Sequence, residues 1–180
     1  MIMPKKSGFL FLVIALFLSF PGNALQANEK PQEAMDRVRT FSIKILEKSL
    51  QSENAFIRSA AARAAGESEY SGLIPFLKKA AKDSYHTTRL FALQGIKKIS
   101  LDEARAISIH MSRDPNIWVR GAAIEMLGEL GDGALGNIIQ PHLKSPDRTV
   151  RYAAAGALFK LGDENQLDVL LDGLKGGSSI

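Results

Sequence analysis

The side chains of this chain that could carry out chemistry are few and dispersed. The sequence has three histidines, His86, His110 and His142, and no cysteine. The absence of cysteine excludes disulfide bonds, thiol nucleophiles and zinc–cysteine sites within the chain. Catalytic or metal-binding groups must converge in space, but the histidines lie 3, 10 and 9 residues before different members of a repeated set of arginines. We therefore predict neither a metal nor a cofactor.

One pair of carboxylates has the spacing of neighbours on a helix. Glu125 and Glu129 lie four residues apart, which places them on the same helical face. Paired carboxylates suggest acid–base chemistry only inside a cleft that excludes water. The chain also lacks a glycine-rich phosphate loop, a Gly-x-Ser-x-Gly elbow and an HExxH motif. We predict that the chain is not an enzyme and that this pair lies on a solvated edge.

The charge of the chain gives little reason to expect nucleic acid as a partner. The formal net charge is +4, from 23 basic and 19 acidic residues. Two of the basic residues, Lys5 and Lys6, precede every acidic residue, and without them 21 basic residues face the same 19 acidic ones. The basic residues are scattered, and no nucleic-acid-binding signature is present. We predict no binding of nucleic acid.

The N-terminal segment, residues 1–27, has the layout of a secretory signal peptide. Lys5 and Lys6 form a short positive region before an almost wholly apolar run at residues 9–20. As a helix this run would span about 18 Å, less than the roughly 30 Å hydrocarbon core of a bilayer. Ala24 and Ala27 offer two cleavage sites, and both stay open. We expect a bacterial periplasmic or secreted protein, with no membrane span after cleavage.

Four arginines recur at one constant interval along the chain: Arg58, Arg89, Arg120 and Arg151. An alanine lies three residues after each of them: Ala61, Ala92, Ala123 and Ala154. A serine or aspartate lies six residues before each of them: Ser52, Asp83, Asp114 and Ser145. A fixed period of this kind indicates stacked structural units. We expect each arginine to hydrogen-bond the Asp or Ser of its own unit or the next, and so to join neighbouring loops.

Each unit contains two segments with helical periodicity. In the second segment, apolar side chains lie at −1, +3, +7 and +10 from the arginine, as at Val119, Ala123, Leu127 and Leu130. The Ser or Asp at −6 is the predicted N-cap of this helix. The alanine at +3 allows adjacent helices to approach to the roughly 8–10 Å of packed helices.

The segments around Arg120 and Arg151 resemble the short HEAT-like repeats of phycobilin lyases. They read Asp-Pro-Asn-Ile-Trp-Val-Arg-Gly-Ala-Ala from Asp114 and Ser-Pro-Asp-Arg-Thr-Val-Arg-Tyr-Ala-Ala from Ser145, and Leu-Gly-Asp follows each. The resemblance implies an all-α, right-handed α–α superhelix, a HEAT-like solenoid of about 4.5 helical pairs. The domain is expected over residues 28–175, with units at 33–68, 69–101, 102–132 and 133–163, a capping helix at 165–175 and a flexible tail at 176–180.

The resemblance also implies that the second helices line a concave face that binds partners. The candidate partner-binding side chains on this face are Phe56, Arg63, Leu90, Phe91, Trp118, Glu125 and Tyr152. Aromatic residues surrounded by charged ones are typical of protein-binding hot spots. Two other interpretations stay open, in which Phe91 fills a gap between repeats and Trp118 packs on the preceding loop, whereas Leu90 and Tyr152 are expected to be exposed.

The sequence thus predicts an exported, non-catalytic adaptor or scaffold that binds a protein or peptide. The repeat arginines, together with Asp83 and Asp114, are predicted to have structural roles. Two alternatives remain: an enzyme subunit of lyase or metal-dependent hydroxylase type, and a structural component of envelope assembly.

Overall fold

The computed structural model describes residues 30–175, which form helices joined by short turns. The predicted signal peptide at 1–27 and the predicted tail at 176–180 lie outside the described residues. In the described part of the chain there is no strand, which confirms the all-α solenoid class. No helix within that part has both the length and the apolar character needed to cross a bilayer. The hand of the superhelix stays a prediction.

Nine α-helices follow one another along the described residues. They are α1 (Pro31–Ser49), α2 (Ala55–Glu67), α3 (Ile74–Ala80), α4 (His86–Ile99), α5 (Leu101–Met111), α6 (Ile117–Glu129), α7 (Gly136–Ile139), α8 (Arg148–Lys160) and α9 (Leu167–Lys175). The described residues divide into two compact units, one ending at Ile45 and the other beginning at Leu46. Among the described residues, the first unit contains most of α1, and the second contains the remaining helices.

In the second unit, the helices that carry the repeat arginines pack side by side. Helix α2 packs against α4, and α6 packs against α8, while α5 lies against both α4 and α6. The alanines three residues after each arginine are all buried, as are the residues at +7, namely Ala65, Ile96, Leu127 and Leu158. The residue at −1 is buried in the last three units, whereas Ile57 of the first unit is 46% exposed. The columns at +3 and +7, with that at −1 from the second unit onward, therefore form the core, whereas the residues at +10 are half-buried or exposed.

The predicted N-caps are wrong by two residues. The second helices are capped by Asn54, Tyr85, Asn116 and Asp147. The Ser or Asp at −6 instead accepts a hydrogen bond from the backbone N–H two residues later, as Asp83 does from Tyr85 at 2.8 Å. This turn tightens the loop before the helix, so the short polar side chain satisfies a loop donor rather than a helix donor. Asn116 is the cap of α6, because its Oδ1 accepts from the backbone N–H groups of Trp118 and Val119.

Each of the first two repeat arginines bonds two loops at once. The Nη1 of Arg58 donates to the backbone oxygens of Ser52 and Glu53 in its own loop, both at 2.8 Å. Its Nε and Nη2 donate to the two carboxylate oxygens of Asp83 in the next loop, at 2.5 and 2.8 Å. Arg89 repeats this arrangement. It donates to backbone oxygens of its own loop, and its two hydrogen bonds to the carboxylate of Asp114 are each 2.7 Å long. The planar guanidinium thus fixes the spacing of successive loops, because its two donor edges point in set directions.

Replacing Asp83 with Asn should lower the free energy of unfolding at neutral pH, and this free energy should then depend less on pH in the acidic range. The hydrogen bonds from Arg58, and that from the Tyr85 N–H, hold the pKa of the Asp83 carboxyl below its usual range despite its burial. A carboxyl whose folded pKa is depressed stabilises the fold above its unfolded pKa of about 3.9, and this contribution disappears as the pH falls toward the folded value. Urea unfolding at several pH values should therefore show a difference between wild type and Asp83→Asn that is constant above about pH 5 and shrinks below about pH 4.

The matched control is Glu53→Gln, which makes the same charge change in an exposed position of the loop before α2. Its effect on the free energy of unfolding should stay within about 0.5 kcal/mol. A pH-independent difference for Asp83→Asn would contradict the paired-carboxylate interpretation.

Candidate functional site

The second helices present one continuous line of side chains away from the core. This outer stripe comprises the positions −2, +2, +5 and +9 from each repeat arginine, which fall on one helical face. In α6 these are Trp118, Ala122, Glu125 and Glu129, all exposed or half-buried. Among the four helices, only Ala153 of the stripe in α8 is buried. The outer stripe is therefore the surface of the second helices that a partner can reach.

Two aromatic rings on the outer stripe are largely open to solvent. Phe56 is 73% exposed and Trp118 is 59% exposed. Both occupy position −2, in the first turn of α2 and of α6 respectively. One edge of the Phe56 ring meets the ring of Tyr85, with centroids 5.7 Å apart. These exposures do not favour the alternative in which Trp118 is mainly a packing residue.

The other predicted aromatic and apolar residues are held more tightly. Leu90 and Tyr152, which were expected to be exposed, are half-buried. Both occupy position +1, where Ser59 and Gly121 of the other units are buried, so this position faces the adjacent helix. The ring of Tyr152 also lies 5.4 Å from the guanidinium carbon of Arg148. These two residues therefore contribute an edge of the surface rather than its centre.

Arg63 and Phe91 form a contact between two repeats. Phe91 is half-buried, and its ring centroid lies 5.9 Å from the guanidinium carbon of Arg63. A cation at this distance from a ring is attracted to its face. Phe91 thus partly fills the gap between α2 and α4. Arg63 remains exposed, and its Nε lies 4.0 Å from Oε1 of Glu67. Glu125 is exposed on α6.

We call the contact line between two neighbouring second helices a seam. In two of these seams, small residues outside the alanine column let the two helix backbones touch. A β-carbon built on Gly66 would lie 2.3 Å from the α-carbon of Gly95, and one built on Gly128 would lie 2.5 Å from the α-carbon of Ala157. In each seam, position +8 of one unit meets position +6 of the next. Only glycine at +8 allows backbones to come this close. These contacts close the α2–α4 and α6–α8 seams.

The seam between α4 and α6 departs from this rule. Lys97 occupies position +8 of the second unit, and Met126 occupies position +6 of the third. Two long side chains cannot pack as a glycine pair does, and a groove of about 450 Å³ separates the helices at this level. Leu93, Ala122 and Met126 line its apolar part. This α4–α6 groove is within the range of about 300–1,000 Å³ usual for ligand sites.

Charged side chains line the α4–α6 groove, and one ion pair, Lys97–Glu129, spans it. The Lys97 Nζ donates to Glu129 Oε2, and the Lys160 Nζ lies 3.4 Å from Glu129 Oε1. The hydrogen bond from Lys97 and the positive charges of both lysines hold the pKa of the Glu129 carboxyl below its usual range. Glu129 therefore remains ionised at neutral pH and cannot serve as a proton donor there. The rim is thus suited to binding rather than to proton transfer.

The described residues contain no group of histidines and carboxylates of the kind that holds a metal ion. Burial, together with the positive charges of Arg120 and Arg113, lowers the pKa of His142. The geometry of this surface can bind a ligand, and its aromatic rings and groove provide apolar area for doing so.

Two further columns of the sequence mark the groove once the structure shows that position +8 of one unit meets position +6 of the next. Position +8 reads Gly66, Lys97, Gly128 and Phe159, and position +6 reads Ala64, Gly95, Met126 and Ala157. The change from glycine to lysine at +8, together with methionine at +6, marks the one seam between two second helices that small residues do not close in the described part of the chain. The alanine column at +3, from which close packing of adjacent helices is predicted, is uniform and marks no difference between units.

Comparison with known families agrees with the geometry of the stacked pairs. The family model described as HEAT repeats matches residues 105–179. The constant register of the repeat and the arginine contacts continue upstream of this match, to Arg58 and its loop. No curated protein matches the chain at a significant level.

Replacing Gly128 with Ala should destabilise the fold, whereas the same change at Gly156 should not. At Gly128 the new methyl group would overlap the backbone of Ala157, and such overpacking costs about 1–3 kcal/mol. At Gly156 the nearest atom to a new β-carbon is a methyl carbon of Leu170 at 4.0 Å. There the higher helix propensity of alanine should raise stability by up to about 1 kcal/mol. Thermal unfolding followed by circular dichroism measures both changes, and equal unfolding midpoints for the two variants would contradict the close seam.

Proposed function

We propose that this HEAT-repeat protein is an exported, non-catalytic scaffold that binds a polypeptide partner along the outer stripe of its second helices. HEAT repeats commonly mediate protein interactions, which supports the general class. The observation that carries the proposal is the pair of exposed rings, Phe56 and Trp118, at the same register of α2 and α6. Exposed aromatic side chains of this kind are the usual anchors of protein interfaces.

Trp118 and the α4–α6 groove together form a surface that fits an extended apolar segment. Ala122, which lines the groove, lies one helical turn after Trp118 on the same stripe. Phe56 lies two layers away, roughly 20 Å at the usual spacing of packed helices. An extended peptide covers that distance with about six residues. A partner segment whose apolar side chains have this spacing would contact both rings.

The charges along the outer stripe favour a polypeptide over a nucleic acid. The stripe carries three basic and three acidic side chains: Arg63, Lys98, Lys160, Glu67, Glu125 and Glu129. A phosphate backbone requires an excess of positive charge, whereas this surface is balanced. An apolar or weakly charged peptide does not need such an excess of positive charge, so the balanced surface suits it.

Export is part of the proposal and rests on the sequence alone. Lys5 and Lys6 followed by the apolar run at residues 9–20 are typical of a cleaved leader. N-terminal sequencing of the protein recovered from the periplasmic fraction or the medium should begin at residue 25 or residue 28. Recovery of the chain only from the cytoplasm, starting at Met1, would contradict export.

Truncation of Trp118 should weaken partner binding without unfolding the protein. A buried tryptophan anchor contributes at least about 2 kcal/mol, so Trp118→Ala should raise the Kd by roughly 30-fold or more. The measurement is affinity capture by the full chain from an envelope extract of the source cells, followed by titration of the captured protein. The control is Phe159→Ala, which removes another exposed ring at position +8, off the outer stripe. Capture of the same proteins by wild type and both variants would disprove the proposal.

A second variant tests the groove itself. Ala122→Phe places a ring at position +2, where the second unit already has Phe91, so the helix should accept it. The ring should occupy the α4–α6 groove and lower the affinity, while Ala106→Phe, the same change at an exposed position of α5 away from the outer stripe, should not. Unchanged affinity in Ala122→Phe would show that the partner does not enter the groove.

A further inference from the structure

The contacts of the repeat arginines change at the third unit. Arg58 and Arg89 each donate two hydrogen bonds to the carboxylate that lies 25 residues later, Asp83 or Asp114. For Arg120, the residue at the same offset is Ser145. A serine side chain ends one atom beyond its β-carbon, so it cannot replace the two oxygens of a carboxylate. For Arg151, the residue 25 positions later is at position 176, which lies outside the described residues.

The guanidinium of Arg120 is nevertheless held as in the preceding units. Its Nη1 donates to the backbone oxygens of Asp114 and Pro115, the same two loop positions that Arg58 and Arg89 use in their own units. No carboxylate among residues 30–175 bonds to its Nε or Nη2, the two donors that Arg58 and Arg89 use for the next loop. The loop contacts hold the guanidinium in place, and its other two donors, Nε and Nη2, form a fork that no carboxylate fills; we call it the open fork of Arg120.

Two polar side chains of the next loop, Ser145 and Asp147, already accept hydrogen bonds from backbone N–H groups. Ser145 Oγ accepts a hydrogen bond from the backbone N–H of Asp147 at 3.3 Å. Asp147 Oδ1 accepts from the backbone N–H of Val150 at 3.2 Å and so caps α8. In the described chain, neither Nε nor Nη2 of Arg120 is an enclosed polar atom without a partner, so both nitrogens keep some exposure to solvent.

We propose that the open fork of Arg120 binds a carboxylate of the partner polypeptide, in the place that Asp83 and Asp114 occupy at the two preceding arginines. A guanidinium fork matches a carboxylate by two parallel charge-assisted hydrogen bonds. Additional positive charge surrounds the site, because Arg120 and Arg113 both act on the ring of His142. Trp118 and Arg120 lie two residues apart and therefore on different sides of α6, so a carboxylate at the fork would add a contact outside the outer stripe. The source of the carboxylate rests on the proposed function, whereas the site itself does not.

The direct test follows the side-chain Nε–H signals of the full chain by NMR during titration with sodium acetate. Sodium chloride at the same ionic strength is the reference. The Arg120 signal should shift and saturate, while the signals of Arg58 and Arg89, whose forks are filled, serve as internal controls. Bound acetate should also raise the pKa of His142, because its negative charge offsets that of Arg120.

The decisive variant is Ser145→Asp, which supplies the missing carboxylate from within the chain. Asp114 already occupies the equivalent position of the third unit and forms the same turn with the N–H of Asn116, so the loop should be preserved. The acetate response should disappear, and the midpoint of thermal unfolding should rise. An equal response in Ser145→Asp, no saturable response in wild type, or a response to inorganic phosphate without one to acetate would overturn the proposal.

The source of the carboxylate is tested with peptides selected from a random displayed library. Peptides selected on wild type should carry an Asp or Glu at a fixed distance from an apolar residue, and those selected on Ser145→Asp should not. Their affinity for Arg120→Gln should be lower by about ten-fold or more. If acetate saturates the fork but the selected peptides show no acidic preference, a polypeptide carboxylate is the wrong ligand. If neither protein selects peptides, the proposed function fails, and the acetate titration still decides whether the site exists.

Discussion

The bonding of one guanidinium to two consecutive loops is the interaction on which the arrangement of the second helices depends. The Nη1 of Arg58 fixes the turn before its own helix, and the opposite edge of the same group bonds Asp83 in the next turn. Because both bonds come from one rigid plane, successive helices begin at the same level. The rings at position −2, Phe56 and Trp118, consequently share one register along the surface. A flexible ammonium group at this position would hold neither loop in a set direction.

A repeat protein can form a site by departing from its own rule at a single place. Its stability is shared among neighbouring interfaces, so one seam can open while the others remain closed. Here the close seams meet at Gly66 and Gly128, and the open one lies between Lys97 and Met126. The fork at Arg120 is a second departure, in the loops rather than in the helices. Both departures involve the third unit, which also carries Trp118.

The electrostatics of the surface follow from how fully its charges are paired. Glu129 is shared by Lys97 and Lys160, and the hydrogen bond from Lys97 keeps its pKa low. Charges that are satisfied within the chain offer little to a partner, because breaking such pairs offsets any new contact. The proposed recognition on the outer stripe would therefore depend on apolar area. Arg120, to which no carboxylate of residues 30–175 bonds, is the position where we propose that charge adds selectivity.

The sequence by itself determined the period of the repeat, the helical class and the columns that become core, because apolar periodicity directly reflects which side of a helix is buried. It also indicated the contact between the repeat arginine and an aspartate, although it left open which unit supplies that aspartate. It misplaced the start of the second helices by two residues, since Asp83 can satisfy either a turn or a helix N-terminus and local sequence does not distinguish them. Only the tertiary structure decided that Tyr152 lies half-buried and that a groove opens between α4 and α6. Both depend on which position of one unit meets which position of the next, and that relation between neighbouring helices is set by how they pack, not by the pattern within either one.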